Sequence, residues 1–386
     1  MFLFKLEHDR FFGWSYGMPG SALKTHWGDP PWRIEFCSSV RPIPKEVDFA
    51  VIGGGFTGLS AAAWLRRFEP SKTVALFESS HVGAGSSGHT GGMTLAETAA
   101  GDLPGLGDVL AGFSGIVKEL AVECDLSLPG AWELGRTAGL PGSSIAWADS
   151  GDLRVVKQVP GGTVDPGKLV SGLARSADAL GVQIFEHSRV EKIEFQEPLR
   201  LNVNGQEVRA RDVLLATNAT SLEMSDMVQR AQPKFTLAVA TEPLADAHRE
   251  ALGLGAGKPF YTIDFPYLWG RLLSNGGIIF GSGLVHLKDW RELLDIDVTV
   301  GQAAELITRL QRRVRGLHPV LRDVEFTHRW GGPILIADQW RPVFEFHPRS
   351  SHAVVLGGYS GHGVALSVYL GRWAAEVMLG RRKPLG

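Results

Sequence analysis

The sequence predicts an α/β fold built on a parallel sheet, with a second domain beside it. Two stretches carry that expectation: a strand, glycine turn, helix and strand over 48–78, and a strand that enters another glycine-rich turn and a helix over 353–380. The length of 386 residues is the third observation, because a chain of that size commonly divides into about two domains. Length does not require contiguous domains, and the two can interleave along the chain.

With 39 Lys+Arg against 41 Asp+Glu the formal net charge is -2, which excludes the basic footprint of a nucleic-acid binder and leaves a small molecule as the default partner. A composition of 44% hydrophobic and 21% charged residues belongs to a folded globular chain rather than a disordered one. Cys37 and Cys124 lie far apart in no metal-like spacing, so neither a disulfide framework nor a zinc site is expected, and a reducing, cytoplasmic setting fits best. The apolar start Met1-Phe2-Leu3-Phe4 runs at once into Lys5, Glu7, Asp9 and Arg10, so no secretory signal is expected. Nor is a membrane span, since no apolar run reaches the roughly 18 residues required.

Residues 1–46 hold Trp14, Tyr16, Trp27 and Trp32 among several prolines without a helical or strand period, and read as an ordered arm whose aromatics pack on the body. Phe49-Ala50-Val51-Ile52 is a short apolar strand, Gly53 to Gly58 a turn, and Leu59 to Phe68 a helix stopped by Pro70. Thr73 to Glu78 is a second strand, and the whole is a Rossmann-like βαβ unit. Asp165-Pro166 opens a helix with an N-cap acid and a first-turn proline, and Gly181 ends it. Strands are expected at 182–185 and 190–195, then a hairpin about Asn204-Gly205, then a separate strand Val213 to Ala216. Ala353 to Leu356 leads into Gly357-Gly358-Tyr359-Ser360-Gly361-His362-Gly363, and a last helix runs from Val364 to Gly380.

The first glycine turn is chemically informative. Gly53 permits the tight turn out of the strand, Gly55 lets backbone approach a pyrophosphate, and Gly58 allows close helix–strand packing, with Phe56 and Thr57 between them at the helix N-terminus. Unpaired N–H groups and the helix dipole favour an anion there. Glu78, followed by Ser79, stands at the end of the second strand, where a carboxylate accepts hydrogen bonds from ribose hydroxyls and argues against a 2′-phosphate. This much suits NAD and FAD alike.

A second run of small residues follows at Val82-Gly83-Ala84-Gly85-Ser86-Ser87-Gly88-His89-Thr90-Gly91-Gly92-Met93, unusual for a plain NAD site and suited to backbone wrapped around a longer dinucleotide. With Glu78 ahead of it, this run resembles the second FAD-binding segment of the D-amino-acid-oxidase-like flavoprotein family, which includes glycine oxidase, sarcosine oxidase, dimethylglycine dehydrogenase and gamma-glutamylputrescine oxidase. Val164-Asp165-Pro166-Gly167-Lys168-Leu169, Ala216-Thr217-Asn218-Ala219 and the 357–363 turn resemble three further family segments, in the family's order.

The resemblance implies an FAD domain assembled from 47–100, 160–225 and 340–386, and a substrate domain with a mixed or antiparallel sheet from 101–159 and 226–339. Gly85, Ser86, Ser87, Gly88, Gly91, Gly92 and Met93 would wrap the cofactor, joined by Thr217 and Asn218, and Val190 would meet the adenine end through its backbone. Gly358, Gly361, His362, Gly363 and Val364 would meet the flavin pyrimidine ring, where a helix N-terminus favours the negative charge that gathers on reduction. His89 is left with two roles. In the dimethylglycine dehydrogenase branch a histidine in a similar run is bonded to the flavin 8α-methyl carbon, whereas other members bind FAD noncovalently.

By the same resemblance the chain is an enzyme that oxidises a C–N bond of an amine or amino acid to an imine, with oxygen or another electron acceptor reoxidising the flavin. Arg271 and Arg341 are the expected carboxylate clamp, with Tyr267 as helper and His362 beside substrate or flavin. Two alternatives stay open: a flavin-bearing subunit that needs a partner for turnover, and a plain NAD-dependent oxidoreductase. The end at Gly386 leaves no room for the folate module of full-length dimethylglycine dehydrogenases, so methyl transfer to folate is not expected.

Overall fold

The computed structural model describes residues 26–137 and 139–385; Trp14 and Tyr16 of the expected arm fall outside them. Two eight-stranded sheets organise the chain. In the first, five strands run parallel in the order Ser350–Gly357, Gln206–Leu215, Glu46–Ile52, Val74–Phe77, Gln183–Phe185. Val343–His347 adds an antiparallel edge, and Val190–Glu194 with Leu199–Val203 forms an antiparallel extension.

Strand period explains how this sheet divides the core. Successive side chains of a strand point to opposite faces, so Phe49 and Val51 enter the cluster shared with helices Phe56–Phe68, Pro166–Ala179 and Gly363–Met378. Ala50 and Ile52 enter a second cluster that continues into the other sheet. Helix Pro166–Ala179 begins as its sequence dictates, the Asp165 carboxylate accepting from Lys168 N at 2.9 Å with proline in the first turn. The hairpin turns at Asn204 (φ 49°) and Gly205 (φ 80°), both left-handed as a type I′ turn requires.

Two local features differ from the sequence expectation. The hairpin arm and the strand at 213 are one continuous strand, Gln206–Leu215, exposed on alternate residues in its first half and buried throughout its second. One face of the first half meets water while both faces of the second are covered, so the sequence pattern changes inside a single element. The second small-residue run contains a one-turn helix, Ser86–His89.

The second sheet draws its strands from 131–159 and 231–337, in the order Phe326–Ala337, Ala231–Thr241, Ile278–His286, Trp269–Leu272, Phe260–Thr262, Ala131–Gly135, Asp152–Val159, Ala146–Ala148. It is mixed, because Phe260–Thr262 pairs parallel to Ala131–Gly135 while its other neighbours pair antiparallel. The segment from residue 26 binds to this body: Trp27 and Trp32 are buried, and their indole N–H groups donate to Leu293 O (2.9 Å) and Gly88 O (2.7 Å). No helix of the described residues is long and apolar enough to cross a membrane.

Candidate active site

A cavity of about 1670 Å³ lies between the two sheets, larger than the few hundred to about 1,000 Å³ that a drug-sized ligand needs. Its first wall is the glycine turn, through Gly53, Gly55, Phe56 and Thr57. Gly53 has φ +112°, and a Cβ there would stand 2.6 Å from Ala216 O. Gly58 lies behind the wall, where a Cβ would meet Gly53 O at 1.9 Å. The two glycines make the turn possible; the residues between them face the space.

Glu78 and Ser79 line one end together with Val190. Gly54 N donates to Glu78 Oε2 (2.8 Å), and Ser80 N (2.9 Å) and Ser79 Oγ (3.1 Å) to Oε1. With three of the carboxylate's roughly four acceptor sites taken, Oε2 keeps room for one ribose hydroxyl.

Gly85, Ser86, Ser87, Gly88 and His89 form a second wall, continued by Gly91 and Met93. Phe56 N donates to Ser87 Oγ at 3.0 Å, joining the two small-residue turns. His89 Nδ1 bonds Gly85 O at 2.9 Å, the tautomer in which Nδ1 carries the proton and Nε2 the lone pair. Burial lowers the pKa of this imidazole and favours its neutral form. Its position is fixed by Trp27, edge-on at 5.4 Å, and by Trp330, whose indole N–H donates to His89 O at 3.0 Å.

The third wall is the final turn. Gly361, His362, Gly363 and Val364 line the cavity at the start of helix Gly363–Met378, and no side chain caps that helix. Asn218, left-handed at φ 48°, ties the parts together: its Nδ2 donates to Ser86 Oγ (3.2 Å) and its Oδ1 accepts from Gly358 N (3.0 Å). Gly92 and Gly358 are not on the cavity wall themselves.

Three buried polar atoms on lining residues have no hydrogen-bond partner: Thr217 Oγ1, His362 Nδ1 and Ser367 Oγ. Buried polar groups are nearly always satisfied, so three such atoms around one cavity are what a polar ligand would complete. Burial also lowers the pKa of His362. Together with the glycine turns, this chemistry fits a long dinucleotide. Among the described residues no group of His, Cys, Asp and Glu is placed to hold a metal ion.

The expected carboxylate clamp is not on this wall. Arg271 is buried beneath the second run, its Nε donating to Gly91 O and its Nη1 to Leu272 O (3.1 Å), 5.9 Å over the Trp32 ring. Burial pulls its pKa down to about 10, and two of its five donors go to backbone carbonyls, so it braces the glycine run from behind. Arg341 is exposed and also off the wall. Tyr267 does line the cavity, next to Phe265 and Pro266 on the loop after Phe260–Thr262.

Other residues complete the cavity wall. Trp269 and Tyr261 form an aromatic side, with Tyr261 donating to Glu133 Oε1 at 2.9 Å. Tyr359 is buried beside the first helix and shares a 2.7 Å hydrogen bond with Thr57 Oγ1. Lys234 and His286 project from the second sheet.

Comparison with known proteins agrees with this geometry. A family model described as FAD dependent oxidoreductase matches residues 48–377. The probable oxidoreductase OrdL of Rhizobium meliloti is 25% identical over 388 residues, covering 90% of this chain and 86% of that protein. Gamma-glutamylputrescine oxidoreductase of Escherichia coli is 25% identical over 376 residues, covering 86% and 84%. Among solved structures, L-amino acid deaminase from Proteus myxofaciens superposes with a TM-score of 0.70 at 15% identity, covering 92% of this chain and 94% of that one. Glycine oxidase from Geobacillus kaustophilus gives 0.69 at 17%, covering 88% and 96%. At these identities the structural likeness speaks to the fold.

Proposed function

Since the chain belongs to the FAD dependent oxidoreductase family, we propose that it oxidises a C–N bond of an amine or amino acid to an imine, which water then hydrolyses. Membership sets aside the plain nicotinamide alternative. The amine substrate class is supported by relatives whose names specify gamma-glutamylputrescine oxidoreductase and glycine oxidase. The observation that carries the reading is the cavity itself, where two glycine turns and three unsatisfied polar atoms meet an aromatic side.

In this proposal 47–100, 160–225 and 340–386 form the cofactor domain, and 101–159 with 226–339 the substrate lobe. FAD, when bound, supplies the ring that accepts the hydride. The chain binds and orients. Glu78 accepts from a ribose hydroxyl through Oε2, and the turn at Gly53–Gly58 presents N–H groups to the pyrophosphate. The uncapped start of helix Gly363–Met378 favours negative charge opposite Gly361, His362 and Gly363. Thr217 Oγ1, Ser367 Oγ and His362 Nδ1 gain the partners they lack within the protein. Trp269, Tyr261 and Tyr267 wall the substrate side, hold an amine's carbon chain on their faces and keep water from it. Reoxidation falls to oxygen or another acceptor.

Product analysis tests the reading. Turnover of an accepted amine should release one carbonyl compound and one amine or ammonia per molecule consumed, with one hydrogen peroxide in air or one reduced two-electron dye in its absence. A product in which the carbon bearing nitrogen has not been oxidised would contradict it. Acid precipitation separates the two roles of His89: colour in the pellet marks a covalent bond, colour in the supernatant a hydrogen-bonding residue.

A further inference from the structure

A row of register partners crosses the second sheet from solvent to the cavity. Lys157 on strand Asp152–Val159 faces Glu133 on Ala131–Gly135, Glu133 faces Tyr261 on Phe260–Thr262, and Tyr261 faces Trp269 on Trp269–Leu272. Register partners present their side chains on one face, and each step across the sheet is about 4.8 Å. The row ends inside, since Tyr261 and Trp269 line the cavity while Glu133 and Lys157 do not. It begins outside: the Lys157 side chain is 65% exposed and that of Glu133 14%, whereas Tyr261 is buried.

The polar contacts follow the same row. Tyr261 Oη donates to Glu133 Oε1 at 2.9 Å, and Lys157 Nζ stands 4.0 Å from that oxygen. A phenol that donates outward keeps its oxygen lone pairs for a donor on the other side. This is the reverse of what a substrate carboxylate needs, because the proton such a carboxylate would accept is already given to Glu133. Burial, and then the bond to Glu133, raise the pKa of Tyr261, so it stays a neutral phenol. The other ionisable groups about the row are Tyr267 and Glu97. Burial and then the charge of Glu133 raise the pKa of Glu97, Lys157 opposes them, and Asp102 adds to them.

Oxidation of an amine needs a proton to leave in this direction. At neutral pH an alkyl amine arrives as its ammonium, which has no lone pair with which to form the C=N bond as the hydride departs. Building on the proposed function, we propose that Tyr261 and Glu133 form a proton relay that takes one proton from the substrate ammonium. The N–H bond breaks and leaves its electron pair on nitrogen; that proton bonds to Tyr261 Oη while the Tyr261 O–H proton passes to Glu133 Oε1. Tyr261 is returned neutral, and Glu133 hands its proton to water at the Lys157 end of the row. Tyr261 is the catalytic residue, and Glu133, which acts through it, is the positioning residue.

The test follows reduction of the flavin-loaded protein by a saturating amine, without oxygen, from pH 6 to pH 10. Tyr261→Phe and Glu133→Gln should each slow reduction about 100-fold at pH 7, the low end of what a positioned acid–base group contributes. Both should return to within about threefold of the unaltered protein at pH 10, where much of the amine is already neutral in solution and bypasses the relay. The double variant should be no slower than the slower single one, because a single relay is broken only once. Glu133→Asp, which keeps the carboxylate, should recover most of the rate lost in Glu133→Gln. A loss of the same factor at pH 7 and pH 10 marks a structural role and overturns the proposal, as does an unchanged rate at pH 7. These failures concern the relay alone; a flavin in the unaltered protein that no amine bleaches at any pH overturns the amine-oxidation reading, and the relay with it.

Discussion

Gly58→Ala is expected to yield protein purified without flavin colour and less stable by about 3 kcal/mol, the upper end of the usual overpacking cost. A methyl group there would stand 1.9 Å from Gly53 O and 3.2 Å from Val51 Cγ1. The first neighbour is backbone, so no rotamer change relieves the clash, and helix Phe56–Phe68 must move off the strand it follows. That movement widens the turn proposed to carry the pyrophosphate. Gly115→Ala is the matched control, since it lies within helix Val109–Glu119 and its added Cβ meets nothing within 4 Å. It should stabilise by about 0.5–1 kcal/mol through the ordinary helical preference for alanine, with flavin retained. Urea unfolding and the ratio of visible to ultraviolet absorbance read both variants. Full colour and unchanged stability in Gly58→Ala would show that the turn has slack.

The second large effect is expected at Asp149, which is 7% exposed. Its carboxylate binds two guanidinium groups: Arg313 through Nε (2.9 Å) and Nη2 (2.5 Å), and Arg136 through Nη2 (2.7 Å). The same arginines hold the cavity loop, Arg313 donating to Tyr267 O (2.8 Å) and Pro266 O (2.7 Å) and Arg136 to Phe265 O (3.3 Å). The arginine side chains are only 14% and 15% exposed, so removing the carboxylate leaves Arg313 partly buried without a counter-ion and Arg136 with only the longer contact to Asp264 (3.9 Å). Asp149→Ala should cost about 3–5 kcal/mol, the scale for breaking a buried pair from one side. It should also raise KM more than it lowers kcat, because Phe265, Pro266 and Tyr267 lose their anchors while the cofactor walls are untouched. Asp149→Asn should fall between the two, keeping the shape but not the charge. A loss below about 1 kcal/mol with KM unchanged would place this cluster among ordinary surface pairs.

What the sequence revealed and what it concealed follow from the range of the interactions. The Gly53–Gly58 turn, the Asp165-Pro166 helix start and the Asn204-Gly205 hairpin were legible because each is decided by a few adjacent residues. The parallel pairing of Phe260–Thr262 with Ala131–Gly135 was not, because it joins chain segments far apart, with no local signal of their register. Arg271 illustrates the same limit at the site. Resemblance to the family marked it as a carboxylate clamp, but a guanidinium's partners are set by tertiary structure, and here Gly91 O and Leu272 O take two of its donors. Lys234 was overlooked for the converse reason. It alternates with Gln232 and Thr236 on one face of its strand, a pattern that resembles any solvated face, and only the sheet's placement beside the cavity turns that face toward the site.

The central claim, that the cavity's flavin accepts a hydride from an amine carbon, is tested most directly by mixing the purified yellow protein anaerobically with a panel of amines and amino acids and following the visible flavin band. The account predicts bleaching by at least one amine or amino acid with no other reductant present, and return of the band on admission of oxygen or an added acceptor. A band unaffected by every amine, yet bleached by reduced nicotinamide, would contradict it.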